Sequence, residues 1–173
     1  MLMQTVRGGW LSPFAVVCML IGGCAPGWAP ANEDSAKLSC SKYRDTFFSK
    51  PTTVQMAEFD SLTVENQYAV FICGNQVREP PSIHLATPFA KEGAAVVGFL
   101  KAKLTNADGD LTIRDILLVF AEMSRQRTYN VAGDGDLMRV ITAAVGRVKD
   151  ADWKKVCERS FGEIQKGAVA PTQ

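Results

Sequence analysis

From Ala36 onward, apolar residues recur at intervals of three and four along almost the whole chain. This spacing places them on one face of an α-helix, whereas a half-buried β-strand would show strict alternation of apolar and polar residues. Alternation over more than four residues is hard to find in this part of the chain. We therefore predict an all-α domain over residues 36–167, a compact bundle of about five to seven short antiparallel helices.

Prolines and brief polar connections bound the predicted helices. The first helix is expected to end before Pro51, and the second, over residues 63–78, before Pro80. Ser82 is a candidate N-cap for the next segment, which Pro88 should kink or shorten. Four further amphipathic stretches are predicted to be helical: residues 94–104, 111–124, 137–148 and 153–164.

The N-terminal segment has the pattern of an export signal. Residues 13–23 read PFAVVCMLIGG, an apolar stretch too short for a permanent membrane-spanning helix. Two processing sites overlap after it. The segment IGGC, ending at Cys24, resembles a bacterial lipobox, and APA, ending at Ala31, resembles an ordinary signal-peptidase site. The lipobox is favoured because Cys24 directly follows the apolar stretch, although Gly22 stands where Ala, Ser or Thr is usual.

A lipobox implies a signal peptide over residues 1–23, or 1–31 if the alternative site is used. Acylation of Cys24 would anchor the chain to a membrane as a lipoprotein of the bacterial cell envelope, in the periplasm, without a spanning helix. Residues 24–35 would then form a flexible tether, and residues 168–173 a disordered tail.

The charge balance argues against nucleic acid as a partner. The chain has 19 basic and 18 acidic side chains, and the signal contains one of the bases, Arg7. The mature chain is therefore formally neutral, whereas nucleic-acid binding needs clustered Lys and Arg. The largest basic group, within residues 149–159, is interleaved with acids, as in a solvated helix face.

Three cysteines remain in the predicted domain: Cys40, Cys73 and Cys157. In an oxidising envelope two of them can pair, and their spacing does not choose among the three possible pairings. We favour a Cys40–Cys73 disulfide, which would tie the first helix to the second. Cys73 and Cys157 lie in apolar stretches, so either one could instead be a buried thiol.

One acidic loop resembles part of an EF-hand or dockerin calcium loop. In the segment TNADGDLTIRD, with Gly109 at the sixth position, alternating residues offer the oxygen ligands that hard cations prefer. The candidate ligands are Asn106, Asp108, Asp110 and Asp115. Leu104 occupies the first position, where a carboxylate is usual. The alternative interpretation is that this loop and residues 134–136 are turns and helix N-caps, with no cofactor bound.

Residues 92–123, EGAAVVGFLKAKLTNADGDLTIRDILLVFAEM, resemble a HEAT-type helical hairpin. LKAKL closes the first helix, Asp110 lies in the turn, and TIRD opens the second helix. HEAT units generally act as interaction scaffolds, so the resemblance implies a protein-binding role. The usual proline of the first helix is absent and no clear second copy appears, whereas stacked repeats need about three units or more for stability.

Few residues suggest catalysis. His84 is the only histidine, which excludes a multi-histidine zinc site. No nucleophile elbow, cysteine-protease signature or Gly-rich nucleotide loop is present. Glu58, Asp60 and Glu65 lie close in sequence, but acids near a helix start are ordinarily caps. A small envelope hydrolase using carboxylates or His84 is therefore the alternative function.

Two polar or aromatic segments are candidates for an interaction surface. Asn75 and Gln76 follow the most apolar part of the second predicted helix. Arg125, Arg127 and Tyr129 lie in a connection between two helices, with the composition that interfaces favour. Their alternative interpretation is a helix end and a polar loop. We expect an envelope protein that binds another protein, as an adaptor or as an inhibitor or immunity-type protein.

Overall fold

The computed structural model describes residues 33–167, and over that range the chain forms eight α-helices and no strand. The all-α prediction is confirmed, with more helices than the five to seven expected. The helices are α1 (Glu33–Thr46), α2 (Thr52–Asp60), α3 (Val64–Gln76), α4 (Ala86–Lys91), α5 (Ala94–Thr105), α6 (Asp110–Gln126), α7 (Gly135–Arg147) and α8 (Ala151–Lys166). The predicted signal peptide, Cys24 and the predicted tail lie outside the described residues. Helix α1 begins within the predicted tether.

Helix α2 was not predicted, because its apolar spacing is weak. Pro51 precedes its first residue with a φ of −57°, a value that suits the start of a helix. Two side chains one turn apart are buried, and only one of them, Phe59, is apolar. The other, Gln55, donates a hydrogen bond from Nε2 to the Lys50 carbonyl at 2.7 Å. Because Gln55 is polar, its buried position does not count as apolar in a hydropathy pattern, and the helical spacing of α2 is not seen.

The segment after the double proline differs from its prediction. Ser82 occupies the predicted N-cap position before the next helical segment, but it is buried and its side chain makes no capping bond. Its backbone N–H instead donates to the Gly74 carbonyl at 2.9 Å, which folds the segment back onto α3. A 3-10 turn over Ile83–Leu85 leads directly into α4. Pro88 lies in the first turn of α4, where its missing N–H leaves no helical bond unmade.

Aspartates begin the last two helices. Asp134 precedes α7 and accepts from the backbone N–H groups of Asp136 and Leu137, at 3.1 and 3.0 Å. Asp150 precedes α8 and accepts from Asp152 and Trp153, both at 2.9 Å. These bonds satisfy N–H groups that have no partner within the helix. The alternative interpretation of residues 134–136 as a turn and cap therefore describes the structure.

Helix α6 is the centre of the domain. It packs against α3, α4, α5, α7 and α8, most extensively against α4 and α8. Its predicted apolar face is fully buried: Ile113, Ile116, Leu117, Phe120 and Met123. Beside it, Phe89 of α4 makes edge-to-face contacts with Phe59 and Phe71, each at 5.9 Å between ring centroids. Burial of these large side chains is the main stabilising contribution to the fold.

The turn into α5 requires a glycine. Gly93 has a φ of +53°, which L-residues with a side chain rarely adopt. A Cβ atom there would lie 2.7 Å from the Thr128 carbonyl oxygen. The absence of a side chain thus lets the turn pack against the connection that follows α6.

Across the described residues, no helix combines the length and the apolar character needed to cross a membrane.

Candidate binding cleft beside the disulfide

A disulfide joins α1 to α3. It links Cys40 and Cys73, whose Cα atoms lie 5.4 Å apart, and this is the pairing favoured from the sequence. Cys157 is left as a buried free thiol on α8. Burial, as the largest cause, raises the pKa of Cys157 to about 11, so its thiol is neutral and unreactive at neutral pH. The disulfide holds α1, which otherwise packs chiefly against α3.

A cleft of about 150 Å³ opens beside the disulfide. Both half-cystines form part of its wall. The remaining lining residues come from the end of α1 and from the chain just after α3: Arg44, Phe48, Val77 and Arg78. Two separate elements that the disulfide fastens together therefore build the site.

The aromatic wall of the cleft depends on a close approach between Phe48 and α3. A Cβ atom on Gly74 would lie 2.9 Å from Phe48 Cζ and 2.8 Å from Ser82 Cβ, so only glycine fits there. Phe48 also makes an edge-to-face contact with Phe47, at 5.1 Å between centroids. The Arg78 guanidinium lies over the Phe48 ring, with its Cζ atom 5.3 Å from the ring centroid. The cation–π contact orients the guanidinium in the cleft.

Neither guanidinium of the cleft has a carboxylate partner among the side chains that the structure describes. This distinguishes Arg44 and Arg78 from Arg114, Arg125 and Arg139, each of which pairs with a nearby Asp or Glu. Burial, and then the positive charge of Arg78, lower the pKa of His84 below its usual range. The cleft therefore presents positive charge next to apolar walls.

An exposed apolar rim, the connection over residues 77–83, begins at a residue that lines the cleft. Val77, which lines the cleft, is 47% exposed, and Ile83 is 61% exposed. Pro80 and Pro81, also exposed, lie between them in the chain. Together with Val54, Val77 and Ile83 are the large hydrophobic side chains that the described part of the domain exposes most. Two of these three therefore flank one short connection, residues 77–83.

Asn75 and Gln76 do not form the surface that their sequence position suggested. Asn75 is only 4% exposed, because it belongs to the buried side of α3. Gln76 is partly buried, and its Nε2 donates to Asp115 Oδ2 at 3.0 Å and to Thr112 Oγ1 at 3.3 Å. Both residues face the interior contact with α6, so their assignment as an interaction surface is corrected.

The connection after α6 provides a second depression. Arg127 and Tyr129 line it with Ser124, Asn130 and Gly167, around a volume of about 190 Å³. The Tyr129 hydroxyl donates a hydrogen bond to Asp134 Oδ2 at 2.7 Å, and this bond raises the pKa of Tyr129. Arg125 lies outside the depression and pairs with Glu122. Of the three arginine and tyrosine side chains predicted here, only that of Arg127 makes no hydrogen bond or ion pair with another described residue.

The four candidate calcium ligands do not converge in the structure. The Asp110 carboxylate accepts from the backbone N–H groups of Lys149 and Asp150, at 3.1 and 2.8 Å, and these bonds lower its pKa. Asn106 donates to the Ala102 carbonyl at 2.9 Å, and Asp108 is exposed to solvent. Searched over the described residues, the domain holds no group of three or more His, Cys, Asp or Glu arranged to bind a metal ion.

Asp115, the fourth candidate ligand, lies instead in a buried ionic network. Its side chain is 1% exposed and its Oδ1 accepts from Arg114 Nη2 at 2.5 Å. The Arg114 guanidinium also lies over the Trp153 ring, 4.7 Å from its centroid.

Burial raises the pKa of Asp115 to about 6, against the opposing effect of Arg114. Burial and the Asp115 charge together raise the pKa of Tyr68 to about 12. The network joins α3, α6 and α8.

The candidate catalytic groups are not assembled into a constellation in the described domain. The Nε2 atom of His84 is buried and has no hydrogen-bond partner there, so neither a nucleophile nor an orienting carboxylate contacts it. Glu58 pairs with Lys50 at 2.5 Å. Asp60 and Glu65 are exposed. A general acid–base mechanism needs groups within hydrogen-bond reach of one another or of a substrate proton.

The sequence pointed to the disulfide but not to the cleft around it. Arg44 lies one helical turn after Cys40, and Arg78 follows Cys73 by five residues. Once these cysteines are paired, both arginines must lie near the same bond. The closeness of each arginine to a cysteine in the sequence was therefore the signal from which the cleft could have been predicted. That signal depended on the Cys40–Cys73 pairing, which spacing alone did not select.

The fold and the cleft define a disulfide-linked, all-α domain with an arginine-lined cleft. Comparison of the chain with protein-family models, curated proteins and solved structures finds no match. The function is therefore inferred from the geometry of the site.

Proposed function

We propose that this chain is an exported protein of the bacterial cell envelope that binds a partner protein through the cleft beside the disulfide. Lipidation at Cys24 would anchor it to a membrane facing the periplasm. The observation that carries the proposal is the pair of arginines, Arg44 and Arg78, which have no carboxylate partner among the described side chains and line the cleft with apolar residues. Adaptor and inhibitor or immunity-type roles both fit such a protein.

The composition of the cleft is typical of a protein interface. Arginine and aromatic residues are enriched where binding free energy is concentrated, and here Arg78 lies over the Phe48 ring. The rim formed by Val77 and Ile83 offers apolar area that association would remove from water. Water solvates a charged group poorly when apolar side chains surround it. A partner with a complementary charge and apolar area can contact both parts of such a site.

The partner should carry a carboxylate close to an apolar side chain. A carboxylate can form two parallel hydrogen bonds with a guanidinium, and such charge-assisted bonds are roughly twice as strong as neutral ones. The chain is close to neutral overall, with a formal net charge of +1, so the positive cleft is a local feature. Charge complementarity therefore selects an acidic surface on the partner protein.

The disulfide supports export. Disulfides persist in oxidising compartments such as the periplasm and are rare in the bacterial cytosol. The apolar stretch and the lipobox-like IGGC segment at Cys24 support the same location and suggest the anchor. Partner binding through this cleft requires no cofactor.

Photo-crosslinking from the rim tests this function. A photo-activatable amino acid replaces Val77 in the full-length protein, and the matched control replaces Ala143, an exposed residue of α7. After irradiation of intact cells, we expect one protein to be crosslinked in stoichiometric yield from position 77 and not from position 143. Equal capture from both positions, or no capture from position 77, would contradict binding at the cleft.

A further inference from the structure

We propose that the cleft receives the C-terminal residue of the partner protein, whose α-carboxylate pairs with Arg44 and Arg78 while its aliphatic side chain packs on Phe48 and Val77. This inference rests on the proposed function and specifies the part of the partner that enters. It follows from the volume of the cleft, the two kinds of wall and the rigidity of the elements that carry the arginines.

The cleft has room for about one residue of a partner. A cavity of about 150 Å³ holds a molecule of roughly the size of benzene. A helix or several residues of an extended strand would not fit within it. The group that enters must therefore satisfy the positive charge and the apolar wall with very few atoms.

A chain end meets both requirements on one residue. The C-terminal residue carries its carboxylate and its side chain on the same Cα atom. An internal Asp or Glu has the carboxylate but no separate apolar side chain, and peptide groups on both sides of it would also need hydrogen-bond partners. Capture of a terminal carboxylate by a compact polar site is an established mode of peptide recognition.

The two backbone segments that carry the arginines are held in place before the ligand arrives. Arg44 lies on α1 and Arg78 follows α3, and the Cys40–Cys73 disulfide fixes these two elements to each other. The Phe48 ring under Arg78 restricts the orientation of that guanidinium. Preorganisation reduces the ordering entropy lost on binding, which matters most for a ligand that makes few contacts.

The test compares two peptides of equal charge by NMR. The first is N-acetyl-Gly-Ser-Gly-Ser-Val with a free C-terminus. The second, N-acetyl-Gly-Ser-Gly-Asp-Val amide, moves the single carboxylate to an internal side chain and keeps the valine. Each is titrated into ¹⁵N-labelled full-length protein purified from the cell envelope. We expect the free-acid peptide to shift backbone amides of residues 40–48 and 73–78, with binding at least tenfold tighter than that of the amide.

Arginine variants locate the effect. Arg44→Ala with Arg78→Ala should weaken binding of the free-acid peptide at least tenfold, and the matched exposed pair Arg139→Ala with Arg159→Ala should leave it unchanged. Equal binding of the two peptides, shifts confined to other residues, or no shift at millimolar peptide would each overturn the C-terminal assignment. The proposed function fails separately, if position 77 captures no partner. The two failures are therefore distinguishable.

Discussion

Removal of the Cys40–Cys73 disulfide should lower the free energy of unfolding by about 4 kcal/mol. The bond closes a loop between residues 33 positions apart in the sequence. In the chain-entropy description, a closure of this length removes about 13 cal/mol/K from the unfolded ensemble, which is about 4 kcal/mol at 25 °C. This is a large fraction of the stability of a typical domain.

The structure adds a local effect to this entropic one. Helix α1 packs chiefly against α3, and the disulfide joins these two helices. Without it, we expect α1 to separate from the domain in a sub-global opening that leaves the core around α6 folded. Arg44 leaves with α1, so the cleft should be lost at denaturant concentrations that the rest of the domain tolerates.

Urea unfolding of the Cys40→Ala/Cys73→Ala variant measures the effect. Circular dichroism reports the helices, and tryptophan fluorescence, measured in a Trp28→Phe background so that Trp153 dominates, reports the environment of α8. Reduction of the wild-type protein should reproduce the loss, and the variant itself should not respond to reductant. An unfolding free energy within about 1 kcal/mol of the wild-type value would refute the reasoning, since the chain-entropy effect alone exceeds that figure.

Three other predictions concern single residues. Because burial raises the pKa of the Asp115 carboxyl to about 6 from its ordinary value of 3.8, the folded state holds this proton more tightly than the unfolded state does. Unfolding free energy should therefore fall by about 2 kcal/mol from pH 4 to pH 6 relative to Asp115→Asn, as measured by urea titration; no difference in slope would contradict this. Gly93→Ala should destabilise by about 2 kcal/mol or more through backbone strain, whereas Gly98→Ala, in open space on α5, should stabilise by up to about 1 kcal/mol; thermal unfolding compares them. Asp150→Ala should lower stability by about 1 kcal/mol by removing the cap of α8, and an unchanged melting temperature would count against that role.

The helices after residue 93 could be predicted because each shows a continuous apolar face. The predicted face of α6 is fully buried, and α7 and α8 start close to where their apolar spacing begins. In this part of the chain, local pattern and tertiary packing select the same residues. Such agreement is what makes a helix readable from sequence.

The region before residue 93 was less predictable because polar residues are buried in it. Gln55, Gln67 and Asn75 all lie in the interior, and Gln67 Nε2 donates to the Phe59 carbonyl at 3.1 Å. Hydropathy assigns such side chains to the surface. For this reason Asn75 was predicted to lie on a binding surface, and α2 was not predicted. Gln67 of α3 finds its hydrogen-bond partner on α2, and a sequence pattern does not show such a contact between helices.

The cleft depends on contacts between distant residues. Asp110 and Asp115 resembled members of one calcium loop in sequence, yet Asp110 accepts from the backbone at the start of α8 and Asp115 accepts from Gln76 of α3. Arg44 and Arg78, which had no motif around them, meet at the disulfide. Residue spacing describes neighbours on one helix face and does not describe which helices pack together.

Partner capture by arginine variants tests the central claim most directly. Three full-length proteins are compared: the wild type, the Arg44→Ala/Arg78→Ala variant and the control Arg139→Ala/Arg159→Ala. Each is crosslinked in the cell envelope and purified. The amount of captured partner, the protein identified by crosslinking from position 77, is then measured. Binding at the cleft predicts that the first variant loses at least nine-tenths of the captured partner, whereas the control, with the same change in charge, keeps it. Equal recovery with all three proteins would contradict the claim that this cleft binds the partner.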